Sequence, residues 1–238
     1  MSGTAAEKIG ELRELDENLW VADRPLKLGG VFAIGTRMTV IRLRNGELFL
    51  HSPVAPDAET RRALDALGPV RHVVAPNKVH HFFAAAYRAA YPKAVLHAAP
   101  GLREKRPEIP FDAVLGDEAP SVWSGEIEQQ VFEGAPYINE VVFFHPESRT
   151  LLLTDLAFNL LEADGFATRA ILRLMGAYGR FGPSRLIRSM IRDRAAARAS
   201  LDRILAWDFE RVTVTHGVVL QRSGRRMLRE AYAWLEAS

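Results

Sequence analysis

A short polar segment between a predicted strand and a predicted helix most constrains what this chain can fold into. The stretch Val70–Ala75, which ends in the apolar run Val73-Val74-Ala75, predicts a strand, and residues 82–91 predict a helix that ends before Pro92. Between them stands the segment Pro76-Asn77-Lys78-Val79-His80-His81. This order is typical of α/β folds, whose ligands bind beyond the carboxyl ends of parallel strands. Two adjacent histidines at that place can both reach one ion, so a metal centre is the leading hypothesis.

The composition limits the classes of protein to consider. The chain has 238 residues, of which 48% are hydrophobic, and this suits a globular protein with a sizeable core. It has no cysteine, so a metal would be bound by His, Asp, Glu or backbone groups. The chain lacks a long apolar run, and residues 1–14 lack the apolar centre of a signal peptide. We therefore expect a cytoplasmic protein.

The order of the predicted elements indicates the architecture. Strands are predicted at 19–22, 31–34, 38–43 and, after the hairpin pair Asn45-Gly46, at 48–50, and Asp57 is the predicted N-cap of a helix. A second group of strands follows at 127–132, 140–144, 151–154 and 211–215, with helices at 167–207, in two parts, and at 225–235. This order predicts a mixed α/β (α+β) protein, a four-layer αββα sandwich. We expect one domain over residues 1–238, with an arginine-rich helical insertion at about 161–207.

Residues 19–235 resemble the metallo-β-lactamase fold superfamily in the order of their elements and loops. The superfamily carries His-x-His-x-Asp-His between a strand and a helix, and alignment on its last residue keeps His81 and places His80 at the Asp. Pro76 and Lys78 stand at the two leading histidines. The chain is similar to a divergent, uncharacterised subgroup that has Pro-Asn-x-x-His-His in this place.

The resemblance also implies which other positions would bind metal. The family's middle histidine is absent from the segment 134–140, the bridging aspartate is matched by Asp155, and the last histidine is matched by His216. One of the two metal sites is then lost. The other is kept, with His80, His81, Asp155 and His216 as the expected ligands of one Zn or Fe ion, and His51 replaces an early aspartate near the site.

These residues suggest two classes of function. The first is a mononuclear metal-dependent hydrolase of a small anionic ester, thioester, lactone or phosphoester, because zinc lowers the pKa of a bound water to about 7. In such a hydrolase, Lys78 would stabilise an oxyanion or pair with Asp155. His51 would line the site, or it is simply the polar end of a strand. The second is a catalytically silent member of the fold that binds a ligand or partner. A single-iron oxidative enzyme is a third reading.

The segment from Arg169 to Arg198 concentrates the positive charge. It carries eight arginines against Asp193 alone, and apolar groups between them suit amphipathic helices. Four readings stay open: a lid for an anionic substrate, a contact with anionic lipid, a homodimer interface, or an ordinary solvated helix pair. Nucleic acid is not an expected partner, because the net charge is only +2 and the family's RNA-cleaving members rely on two metals.

The remaining polar residues receive structural assignments. We assign His72, His97 and His145 to surface or turn positions, and Asn77 to an Asx-turn. Asn139 and Glu140 are assigned to the start of a strand.

Overall fold

Seven strands follow one another along the chain and form the first sheet. The structure is a computed structural model and describes residues 12–28, 32–163 and 165–235. The strands are β1 (Leu12–Asp16), β2 (Leu19–Leu28), β3 (Phe32–Arg42), β4 (Leu48–His51), β5 (Val70–Ala75), β6 (Val95–Ala98) and β7 (Ala113–Val114). Neighbours from β1 to β4 are antiparallel, and those from β4 to β7 are parallel. Residue 31 of the strand predicted at 31–34 lies outside the described residues.

Four strands form the second sheet: β8 (Glu128–Val131), β9 (Val141–His145), β10 (Thr150–Leu153) and β13 (Arg211–Val214). Their order across the sheet is β13-β10-β9-β8. β9 and β10 are antiparallel neighbours and form a hairpin, whereas β10 and β13 run parallel. A small separate ribbon pairs β11 (Phe158–Asn159) with β12 (Phe181–Gly182).

Seven α-helices are described. They are α1 (Ala58–Leu67), α2 (Ala84–Ala90), α3 (Leu102–Lys105), α4 (Phe166–Leu174), α5 (Arg185–Met190), α6 (Arg194–Ala206) and α7 (Gly224–Tyr232), and a 3₁₀ turn, Ala233–Leu235, follows. Asp57 caps α1 as expected, since its side chain accepts the backbone N–H of Thr60. None of the helices in the described ranges is long and apolar enough to cross a bilayer.

Three separate cores show that the elements stack in four layers. One core joins the first sheet to α1, α2 and α3, and another joins the second sheet to α4–α7. The third lies between the two sheets, where Phe49 packs edge-to-face against Trp123 and Phe143. Successive strand residues point to opposite faces, so Phe143 enters the central core while its neighbour Phe144 enters the outer one. The predicted αββα sandwich is confirmed.

Two details differ from the sequence prediction. The strands predicted at 31–34 and 38–43 form one strand, β3, because Gly35 to Arg37 continue its pairing with β2. The helical stretch 167–207 contains three helices rather than two. Gly176 and Gly179 adopt φ values of +66° and +72° and end the helical path after α4, and the chain then forms β12 before α5.

The three histidines assigned to surface or turn positions are all buried. His145 does reach a turn, where its Nδ1 lies 2.7 Å from Ser148 Oγ. The assignment was wrong for His72 and His97, which pack against Trp123 between the sheets with their rings 5.2 and 4.8 Å from the indole. A tryptophan far along the chain covers them, and the local sequence does not reveal it.

Candidate metal centre

Three loops bring His80, Asp155 and His216 together. Residues Leu153 and Val214 are register partners at the ends of the parallel strands β10 and β13, so Asp155 and His216, two residues further on, emerge at the same edge. His80 comes from the loop after β5 of the other sheet. Among the described residues these three form the one cluster whose potential ligand atoms all lie within 4.8 Å of one another, and all three are buried.

The hydrogen bonds of the two imidazoles direct their Nε2 atoms at each other. His216 Nδ1 lies 2.6 Å from the carbonyl oxygen of Gly35, which can only accept, so Nδ1 carries the proton. His80 Nδ1 lies 3.1 Å from Ser52 Oγ, and the two Nε2 atoms are 3.1 Å apart. With Nδ1 protonated on both rings, two lone pairs face each other beside a carboxylate. Either a proton on one ring or a metal ion satisfies this arrangement.

The spacing of the three residues fits a metal ion. His80 Nε2 lies 3.4 Å from Asp155 Oδ2, and His216 Nε2 lies 3.9 Å from Asp155 Oδ1. Tetrahedral zinc, bound at about 2.0–2.1 Å by each ligand, holds its ligand atoms about 3.3 Å apart. The two Nε2 atoms are 3.1 Å apart, and each lies 3.4 or 3.9 Å from a different oxygen of Asp155, so the separations are near that value. Imidazole nitrogen and carboxylate oxygen are ligands that both zinc and ferrous iron accept.

The pKa shifts favour the forms that bind a metal. Burial alone would raise the pKa of Asp155, but His80, His216 and the Asn77 amide lower it to about 2. Burial lowers the pKa of His216 to about 4, and the neighbouring His80 adds to the effect. At neutral pH the carboxylate is therefore ionised and the His216 ring is neutral.

Asn77 links the His80 loop to Asp155. Its Oδ1 accepts the backbone N–H groups of Val79 and His80 at 2.8 and 2.7 Å, which confirms the predicted Asx-turn. Its Nδ2 donates to Asp155 Oδ2 at 2.7 Å and to Glu140 Oε2 at 3.2 Å. The same side chain thus fixes the backbone that carries one potential ligand and the carboxylate of another.

Glu140 is a buried acid that holds the Asp155 loop. Its carboxylate accepts the backbone N–H groups of Thr154, Asp155 and Leu156 at 2.7, 2.8 and 3.2 Å. Burial, with the charge of Asp155, raises its pKa to about 7. This role was not predicted from the sequence. The available signal was an acid directly before the apolar run 141–144, where a charged side chain needs buried partners.

Arg37 and Gly217 hold the His216 loop. Arg37, on β3, donates through Nη1 to the carbonyls of Val214 and Gly217 at 2.9 and 2.6 Å, and its Nη2 pairs with Asp23 at 2.6 Å. Gly217 has a φ of +103°, and a Cβ there would lie 2.2 Å from the carbonyl oxygen of Asn159. Neither residue attracted notice in the sequence, because their contacts are with distant backbone.

His81, the fourth expected ligand, is not part of the cluster. Both of its ring nitrogens lie 3.2 Å from Arg106 Nη1, and burial, with Arg106 and Lys105 nearby, lowers its pKa to about 4. The structure thus brings together three of the four residues that the resemblance implies. The direction of each side chain depends on its partner, Ser52 for His80 and Arg106 for His81, and the motif does not encode it.

The two expected catalytic residues lie at different depths. Lys78 is half-buried, and its Nζ donates to the carbonyl oxygen of Pro136 at 2.9 Å. His51 is buried at the end of β4 with its ring 5.5 Å from Phe143, and burial, with His80 nearby, lowers its pKa to about 3. His51 is therefore a neutral ring behind the cluster, whereas Lys78 is a cation near the surface.

Known structures share this fold at low sequence identity. A metallo-β-lactamase from Pontibacter korlensis is 13% identical, with a TM-score of 0.65 over 96% of this chain and 99% of that protein. The metallo-β-lactamase FIM-1 from Pseudomonas aeruginosa, solved in a mono-zinc form, is 13% identical, with a TM-score of 0.63 and coverages of 95% and 92%. The flavodiiron core of Flv1 from Synechocystis sp. PCC6803 is 11% identical, with a TM-score of 0.64 over 95% of this chain and 60% of that one. The likeness shows a metallo-β-lactamase-like fold.

Comparison with protein families identifies a more specific relationship. No curated protein matches the chain in sequence. A model of a domain of unknown function, DUF4336, matches residues 16–165. That part includes His80 and Asp155, while His216 and the helices α4–α7 lie beyond it. The match covers more than half of the chain. The chain therefore belongs to the DUF4336 family, and its structure has a metallo-β-lactamase-like fold.

Proposed function

We propose that this protein is a metal-dependent hydrolase that holds one zinc or iron ion through His80, Asp155 and His216. The observation that carries the proposal is the direction of the two imidazoles. His216 Nδ1 is committed to a backbone carbonyl and His80 Nδ1 contacts Ser52, so both Nε2 atoms face the Asp155 carboxylate. Buried groups with such complementary orientation are typical of a metal site with its supporting contacts in place.

Three protein ligands suit catalysis better than a purely structural site. Structural zinc sites have four protein ligands, whereas catalytic sites have three and keep a position for water. Bound there, zinc would supply a hydroxide at neutral pH and polarise a carbonyl or phosphoryl oxygen. A cavity of about 10 Å³ lies beside Ser52 and His80, about the size that one water needs. Asn77 holds the carboxylate of Asp155 in place, and Glu140 holds its backbone.

The charges around the His80 loop favour an anionic substrate. Lys78 lies in the loop, Lys105 Nζ donates to its backbone carbonyl at 2.7 Å, and Arg106, which also pairs with Glu108, contacts His81. We assign Lys78 the role of attracting the substrate, a small anionic ester, thioester, lactone or phosphoester. Its contact with the carbonyl of Pro136 is exchangeable for a contact with a substrate oxygen, since both are oxygen acceptors.

One observation favours the second candidate, a catalytically silent protein that binds a ligand or partner. The cavity beside His80 has room for about one water, and Phe82 and Phe83 form part of its wall. Through this cavity a substrate would reach His80 only if one of these side chains moved. Phe82 is 58% exposed, so its displacement requires little loss of packing.

The test is metal-dependent turnover. The protein is loaded with one equivalent of zinc or ferrous iron and assayed against p-nitrophenyl acetate, p-nitrophenyl phosphate, a thioester and a lactone. We expect hydrolysis of one class that a chelator abolishes and that His216→Ala loses, while Lys78→Ala raises KM more than it lowers kcat. Metal binding without turnover of any of the four would favour the silent candidate. Turnover that persists in chelator would exclude the proposed metal role.

A further inference from the structure

Helix α4 leaves an apolar face uncovered. Its buried side chains are Thr168 and Leu172, which fix the face that packs on the domain. At the helical spacing of four residues, Phe166, Ala170 and Leu174 form a different stripe, with Ile171 beside it. Phe166 is 79% and Leu174 is 71% exposed. Side chains of this size are usually buried, so an exposed stripe of them indicates a contact surface.

Arginines lie along one edge of this stripe. Arg169 and Arg173 occupy the sector of α4 between the buried face and the apolar stripe, and both are exposed. The sequence 165–192 contains six arginines and no acidic residue. In the part of the chain that the structure describes, none of the six forms an ion pair; they are Arg169, Arg173, Arg180, Arg185, Arg188 and Arg192. Several of them contact neutral groups instead, as Arg173 does with the Tyr178 ring, so no described acid neutralises their positive charge.

The charge decides which partner fits. In a symmetric dimer the same surface would meet itself and bring the arginines of both copies together, and α4 itself carries no acid to compensate them. A bilayer with anionic headgroups offers negative charge to Arg169 and Arg173 and an apolar layer to Phe166 and Leu174 at the same time. Helices that lie in such an interface combine exposed Phe and Leu with Lys or Arg at the edge of the apolar face.

We propose that Phe166, Arg169, Ile171, Arg173 and Leu174, the α4 surface, bind the protein to an anionic phospholipid bilayer. The surface begins seven residues after the end of β11, where Phe158 stacks on His216 with ring centres 5.5 Å apart. Contact with a membrane would therefore hold the second sheet and its metal-centre loop near the lipid. The binding is peripheral, and it does not depend on whether the metal centre is catalytic.

Sedimentation with vesicles tests the α4 surface. The full chain is mixed with vesicles of phosphatidylcholine alone or with one third phosphatidylglycerol. We expect binding to the anionic vesicles only, weakened by 0.5 M salt. Phe166→Ser/Leu174→Ser should lower the affinity at least about tenfold, because both side chains would insert. Arg169→Ser/Arg173→Ser should lower it about 25-fold, since each arginine near an anionic surface contributes about fivefold.

A control variant and a measurement of mass make the outcome decisive. Arg222→Ser/Arg225→Ser removes two exposed arginines elsewhere and should bind like the wild type. All altered positions are exposed, and thermal melting confirms that the variants are folded. Lack of binding to anionic vesicles, or equal binding by all variants, would overturn the proposal. A dimer that Phe166→Ser/Leu174→Ser dissociates, without vesicle binding, would assign the surface to a second copy instead.

Discussion

Asn77 offers the most informative single substitution, because it supports two sides of the metal centre at once. Asn77→Ala removes an acceptor from the backbone N–H groups of Val79 and His80, at about 1 kcal/mol each. It also removes a donor from two buried carboxylates, those of Asp155 and Glu140, and bonds to charged groups contribute about 1.5–3 kcal/mol. Because such losses are only partly additive, we expect the free energy of unfolding to fall by about 3–5 kcal/mol.

Metal affinity should fall with stability in this variant. Contacts that orient metal ligands typically change metal affinity 10- to 100-fold, so Asn77→Ala should weaken zinc binding by about that factor. The assays are urea unfolding in the presence of chelator and zinc titration against a chromophoric competitor. Asn45→Ala is the matched control, because Asn45 makes a similar turn, accepting the N–H of Glu47 at 2.9 Å, on an exposed hairpin. A fall of less than about 1 kcal/mol in the free energy of unfolding of Asn77→Ala, with unchanged zinc affinity, would refute the reasoning.

Three further substitutions test other parts of the account. Arg37→Met removes two carbonyl contacts of the His216 loop and should cost about 2–4 kcal/mol in urea unfolding, with weaker zinc binding. Gly217→Ala places a Cβ 2.2 Å from Asn159 O at positive φ and should cost at least about 2 kcal/mol. Burial, with His72 nearby, lowers the pKa of His97 from 6.5 to about 3, so folding excludes a proton and stability falls as pH drops below 6.5. Between pH 7 and pH 3 the free energy of unfolding of His97→Gln should fall by about 4 kcal/mol less than that of the wild type. The same pH dependence of this free energy in both proteins would contradict the prediction.

Local patterns predicted the framework of the fold. Val70–Ala75 is a strand as its β-branched run indicates, Asp57 caps its helix, and Asn45-Gly46 lies between β3 and β4. These features depend on residues within a few positions of one another, and their physical causes are visible in the sequence. The layer order followed from the succession of such elements.

The parts of the candidate site that escaped prediction depend on distant partners. The motif makes both His80 and His81 candidate ligands, but Ser52 and Arg106, each at least 25 residues away, orient them differently. Glu140 accepts three backbone N–H groups from residues 14 to 16 positions later in the chain, and no local pattern predicts these contacts. The sequence identified the arginine-rich segment, but it could not show that Phe166 lies on the uncovered side of α4.

The central claim is that one metal ion is held by His80, Asp155 and His216 and not by His81. The most direct test is elemental analysis of protein purified without added metal or chelator, with His80→Ala, His216→Ala and the adjacent His81→Ala in parallel. The account predicts about one equivalent of zinc or iron in the wild type and in His81→Ala, and loss of the metal in the other two variants. Metal lost from His81→Ala but retained by His80→Ala would contradict it, as would a wild type that neither contains nor takes up metal.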